Sequence, residues 1–130
     1  MLVGVNQKDL IDLATSLARP FNPSADCSAA GIASALITAQ SNVYSGVCID
    51  TACSLGFCAE HAAVAEMLKA RESEIRMIVA VNSEGVVLPP CGRCRELLWQ
   101  VDNRNESTWV VLGPTAKALL RELLPHRLPL

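Results

Sequence analysis

Residues 58–100, from Cys58 to Gln100, read CAEHAAVAEMLKARESEIRMIVAVNSEGVVLPPCGRCRELLWQ, and their pattern decides the fold. From Cys58 to Arg71 the helix formers Ala, Glu, Met, Leu and Lys dominate, and Ala63, Met67 and Leu68 recur at helical spacing on one expected face. Ile75–Val81 is apolar and β-branched, the pattern of a buried strand, and Asn82-Ser-Glu-Gly85 ends it. Pro89 and Pro90 then interrupt the chain before a second helix, expected from Cys91 to Gln100. Strands alternating with helices need crossover connections. At least part of the sheet is therefore parallel, with helices covering both faces.

Working outward, Asn103–Ser107 reads as a polar loop, Trp109–Leu112 as a strand, and Thr115–Leu124 as a last helix ended by Pro125. Towards the start, Leu10, Ile11, Leu13, Ala14, Leu17 and Ala18 fall at helical spacing behind Asn6, a suitable N-cap. Pro20 and Pro23 stop that helix, and Asn22–Asp26 reads as a loop. Gly31–Ala39 and Val43–Ile49, joined through Gln40-Ser-Asn42, predict a hairpin that adds an antiparallel edge. The expectation is an α/β fold: one domain over residues 1–130, three layers in α/β/α order, with a mixed sheet of about five strands.

The length, 130 residues, suits one domain with its own core. With 51% hydrophobic and 18% charged residues the composition is globular. A net charge of −2 and no basic tract argue against nucleic acid or an anionic membrane as partner. The stretch Met1–Leu10 has no basic segment followed by an unbroken apolar run, so it does not read as a signal peptide. No stretch approaches the ~20 apolar residues of a membrane span. The six cysteines are accordingly expected in a reducing, cytoplasmic setting, as metal ligands or small core residues and not as a disulfide framework.

Three of the six are set apart. Cys58 opens one expected helix, and Cys91 and Cys94 open another. A helix start favours the thiolate, the form that binds metal. Two cysteines on one turn aim at a common centre, to which Cys58 adds a third sulfur. Three thiolates with one position open is the arrangement of a catalytic zinc, whereas a structural site is closed by a fourth protein ligand. Glu60, two residues after Cys58, is suited to carry protons beside such a metal. Cys27, Cys48 and Cys53 read most simply as small buried residues. Two rival readings stay open: a non-catalytic zinc module, with Cys53 the only further thiol nearby, and a thiol oxidoreductase built on Cys91-Gly-Arg-Cys94.

Cys58-Ala-Glu60 with Pro90-Cys-Gly-Arg-Cys94 resembles the paired signature of the cytidine deaminase superfamily, in the small three-cysteine form of tetrameric cytidine deaminases and blasticidin-S deaminase. The likeness covers Gly31 to Pro125. It implies one zinc per subunit on Cys58, Cys91 and Cys94, and zinc-bound hydroxide attacking an aminopyrimidine nucleoside at C4. It further implies Glu60 as proton shuttle and the Ala59 N–H on the base oxygen. Cytidine is the implied substrate, in pyrimidine salvage. A modified nucleoside such as blasticidin S is the alternative.

Homo-oligomerisation, as a tetramer or a dimer, is implied too, with the tail Leu124–Leu130 resembling a segment that reaches a neighbour's active site. The strand Gly46-Val-Cys-Ile-Asp50 departs from the family pattern by placing Cys48 and Asp50 at the sugar-binding positions. His61 stands where many relatives have Arg. Arg93 and Arg95 are then expected to supply the positive charge that offsets three thiolates, with His61 hydrogen-bonding a ligand sulfur. His126 is expected on the tail surface, and Trp99 and Trp109 as core or interface anchors.

Overall fold

The computed structural model describes residues 4–128. The first helix, α1 (Gln7–Leu17), starts at Asn6, whose side chain accepts from the Asp9 N–H while the Asp9 carboxylate accepts from the Asn6 N–H. Strands β1 (Phe21–Ser24), β2 (Cys27–Thr38) and β3 (Val43–Thr51) follow, then α2 (Ala59–Lys69), β4 (Ile75–Asn82), α3 (Gly92–Val101), β5 (Trp109–Val111), β6 (Lys117–Leu119) and the short α4 (Leu120–Leu123).

β2 is the spine of the sheet. β3 lies antiparallel along one side of it, and its other side is shared end to end by β1 and β4. β5 adds in parallel to β4, and β6 closes the far edge antiparallel to β5. Six strands thus fill five positions across a mixed sheet.

Side-chain alternation divides the core. Ala33, Ala35, Ile37, Val79, Val81 and Val111 face α1, where Leu10, Ala14 and Ala18 cover them. Leu36, Ile78 and Val110 face the opposite way, under Ala63, Val64 and Met67 of α2, Leu98 and Trp99 of α3, and Leu120 and Leu124. This is the three-layer α/β/α arrangement.

Three expected elements differ. The 22–26 segment is not a loop: Asn22 and Pro23 lie in β1, an edge strand where a proline without an N–H is tolerated. The last helix is cut to Leu120–Leu123, because residues 117–119 pair with the free edge of β5. On α2 the buried stripe is Glu60, Ala63, Val64 and Met67, and Leu68 lies on the exposed flank. None of the described helices is long and apolar enough to cross a membrane.

This topology places the site. β3 and β4 are both antiparallel to β2, so they run in the same direction. Each is followed by a helix on the same face, α2 after β3 and α3 after β4. The two helix starts therefore meet at one end of the sheet, bringing Cys58 to Cys91 and Cys94.

Candidate metal centre and active site

Cys58 and Cys91 are the N-cap residues of α2 and α3, and Cys94 lies one turn into α3. The Cys58 and Cys91 sulfurs are 3.7 Å apart, and those of Cys91 and Cys94 are 3.5 Å apart. Two Zn–S bonds of about 2.3 Å meeting at a tetrahedral angle hold their sulfurs about 3.8 Å apart. The observed spacing fits one zinc bound by all three. All six cysteines are free, so the trio is not divided by a disulfide.

Burial grades the three thiols. Cys94 is fully buried, and burial first, then the charge of Glu60 and the neighbouring thiols, pushes it far above its ordinary value. Burial also raises Cys58. At Cys91 burial acts upward, but the N–H groups of Cys94 and Arg93 and the adjoining thiols outweigh it, and the net shift is down. Three thiols this close together suit a divalent cation, whose binding displaces their protons.

Glu60 is 6% exposed, on the first turn of α2. Burial raises its carboxyl above the ordinary range, opposed by its own backbone N–H and the Cys94 thiol. Ala59, the first residue of α2, is buried, and its N–H has no intrahelical acceptor.

His61 presents Nδ1 3.7 Å from Cys94 Sγ, and its ring stacks on Phe57 with centroids 6.4 Å apart. Burial and the Arg93 charge lower its pKa, so the ring is neutral at neutral pH. Cys58, His61 and Cys94 have ligand atoms all within 4.8 Å of one another. The fourth donor beside the sulfurs is therefore His61. Cys53, expected as a small buried residue and the only further thiol open to a closed zinc module, is instead exposed on a 3₁₀ turn and takes no part in this cluster.

A cavity of about 390 Å³ opens onto this cluster, within the usual range for small-molecule sites. Cys58, Ala59, Glu60, Cys91 and Arg93 line it, together with Cys48 and Asp50 of β3. Arg93 is exposed. Arg95 is not at the cavity: its guanidinium donates to the Pro90 and Leu123 carbonyls at 3.0 and 3.2 Å, pinning the loop before α3. Of the three remaining cysteines only Cys48 is fully buried, and Cys27 is half-buried.

Sequence reasoning missed other walls: Ile32, Thr51, Phe57, Leu88 and Pro89. Leu88 and Pro89 carried one usable signal, their place immediately before the second cysteine pair. Ile32 faces the cavity through a bulge in β2, and Thr51 and Phe57 flank the turn between β3 and α2.

Fold and site together define an α/β protein with a thiol cluster that could hold a metal where two helix starts meet. No protein-family model matches the chain. Among solved structures it is similar to the cytidine deaminase from Mycobacterium tuberculosis, at 26% identity and a TM-score of 0.81, covering 97% of this chain and 99% of that one. It is similar in fold to the cytidine deaminases from Mycobacterium leprae (22% identity, TM-score 0.78, 94% and 99% covered) and Burkholderia pseudomallei (24%, 0.75, 95% and 100%). The chain is a member of the cytidine deaminase superfamily.

Proposed function

We propose that the protein is a zinc-dependent hydrolase that deaminates a cytidine-type nucleoside to the uridine-type product and ammonia. The observation that carries this reading is the sulfur trio at zinc spacing, with the buried Glu60 carboxyl beside it in the wall of a nucleoside-sized cavity. Cys58, Cys91 and Cys94 would hold the zinc, which would lower the pKa of a water at the open position towards about 7.

The chain's own groups do the rest. The Ala59 N–H donates to the exocyclic oxygen of the base. Glu60 accepts the proton given up by the attacking water and delivers it to ring N3; it then takes the proton of the new C4 hydroxyl and passes it to the amine, which leaves as ammonia while C4 becomes a carbonyl. Its burial keeps bulk water from competing for that proton. Arg93 in the cavity wall offsets part of the charge of three thiolates, and His61 hydrogen-bonds the Cys94 sulfur.

Cytidine is the leading substrate, with a modified nucleoside such as blasticidin S as the alternative, since Cys48 and Asp50 line the expected sugar end. One zinc per subunit, a cytoplasmic setting and a homo-oligomer, as a tetramer or a dimer, belong to the same reading. The free thiols support the setting, and exposed Leu55 (81%), Phe57 and Ile49 beside the cavity mouth support the oligomer. The tail packs on its own chain as far as the described residues reach, with Arg127 over the Trp99 ring, and residues 129–130 lie outside them.

The test is zinc content together with ultraviolet absorbance and ammonia release on cytidine, deoxycytidine, 5-methylcytidine and blasticidin S. Glu60→Gln is expected to keep its zinc and lose about 10³-fold or more in turnover. A zinc-loaded, fully active Glu60→Gln protein would sink the mechanism.

The His61 position favours one second reading, a closed Cys₃His structural zinc. His61→Ala separates the two. A structural site loses metal and shows no turnover to begin with, whereas the deaminase keeps its zinc and turns over more slowly.

A further inference from the structure

Cys48 lines the side of the cavity where the nucleoside reading places the sugar, yet the hydrogen-bonding capacity of its thiol is already used. β2 carries a bulge: Ala29 pairs with Ile49 and Ala33 with Val47, so Ala30, Gly31 and Ile32 together face Cys48 alone. Ala30 takes a left-handed φ of 63° within it. The bulge turns the Ile32 N–H towards β3, where it donates to Cys48 Sγ at 3.3 Å. The Cys48 S–H points to Asp50 Oδ2 at 3.7 Å, two residues along the same strand face. A thiol is one weak donor and one weak acceptor, and both are engaged in a residue only 5% exposed.

Asp50 is the opposite case. It is exposed and forms no ion pair among the described residues. It also lines a second hollow of about 580 Å³ beside the cavity, into which Asn22, Ser24, Asp26 and Ser28 face without any Lys or Arg. Thr51, whose buried Oγ1 has no partner, lines both spaces as Asp50 does.

We propose that Cys48 is a positioning residue that holds the Asp50 carboxylate towards the substrate's sugar, and that of these two residues only Asp50 reads that end of the substrate. The proposal rests on the nucleoside reading above. A carboxylate only accepts, and the thiol beside it has nothing left to offer. The sugar end therefore selects a donor. A hydroxyl serves, and an amino group serves better because its charge complements the carboxylate. The substrate class is an aminopyrimidine nucleoside whose sugar carries a free hydroxyl or amino donor.

The experiment compares cytidine, its 2′-deoxy, 3′-deoxy and 3′-amino forms, and 1-methylcytosine, which has no sugar. Cys48→Ala is expected to raise KM for cytidine about tenfold, with kcat changed less than about twofold and 1-methylcytosine unaffected. Cys48→Ser, whose hydroxyl can accept from Ile32 and donate to Asp50, restores most of the loss. Adding Cys48→Ala to Asp50→Asn raises KM no further. The 3′-amino substrate has a KM no higher than that of cytidine.

A readout independent of turnover is the infrared S–H stretch that disappears in Cys48→Ser. It moves to higher frequency in Asp50→Ala if the thiol donates to that carboxylate. An unmoved band, additive KM effects, or an equal loss on 1-methylcytosine overturns the positioning role. If the band moves but the wild-type protein deaminates none of these compounds, the deaminase reading fails. The sugar-reading role of Asp50 fails with it, and the thiol contact stands as structural only.

Discussion

Cys53 and Ser54 stand at the rim of the cavity with φ of 59° and 55°, consecutive left-handed residues in which neither is glycine. A side chain in that region costs roughly 1 kcal/mol, and Cys53 is exposed, so no packing offsets the cost. Cys53→Gly is expected to raise unfolding free energy by about 1 kcal/mol, seen as a higher urea midpoint at unchanged slope, with zinc content unaltered. Lost zinc would instead place Cys53 in the metal site. At this scale the sequence was informative where function is local. Cys58, Glu60, Cys91 and Cys94 are marked by short spacings at helix starts, and the structure gathers them at one point. Cys48 was legible only as a departure from a family pattern. Its partners depend on a bulge in another strand, and the sequence separation between Ile32 and Cys48 conceals their contact.

Among the elements, the β2–β3 hairpin is tied to the end of α2 by one carboxylate. Glu72, 8% exposed, accepts from Thr38 Oγ1 at 2.6 Å, from Asn42 Nδ2 at 3.0 Å and from the Tyr44 hydroxyl. The Thr38 and then the Tyr44 hydroxyl hold its pKa below the ordinary value, against an upward effect of burial that exceeds the further lowering by Asn42. A carboxyl depressed in the folded state contributes its full stability above the unfolded value, about 4.3, and loses it as pH falls through the folded value. Glu72→Gln is therefore expected to lower stability by about 2 kcal/mol at pH 7, with the gap closing below about pH 4. Urea unfolding of both proteins at the two pH values checks this, and an unchanged gap would assign the loss to shape alone. The strands and helices with strong periodicity were readable from sequence, as α1 and β4 show. β1 and β6 were not. Asn22-Pro23 carries turn chemistry and Lys117-Ala-Leu119 carries helix formers, and both preferences yield to an open sheet edge that no local pattern reveals.

For the whole molecule the question is what the metal centre adds to a fold that already has two cores. The core clusters on the two faces of the sheet include none of the three metal-site cysteines, so sheet and helices have their own source of stability. α2 and α3 make sparse direct contact, however, and Cys58 and Cys91 join their starts across 33 residues of chain. Zinc bound there would act as a cross-link between the two helix starts. Mass action gives it about 4 kcal/mol of stabilisation at a thousandfold excess over its dissociation constant. Removing it with a chelator is expected to lower the melting temperature while leaving the sheet folded. Amide exchange should then rise in residues 52–58 and 83–91, which lead into the two helix starts, and stay slow in β2 and β4. Cys91→Ser should reproduce that local loosening without chelator, because Cys91 is the exposed member of the trio. Global unfolding on zinc removal would mean that the cores are not self-sufficient and that the metal is a folding requirement. Unchanged exchange at both segments would mean that the sulfurs do not share a metal at all.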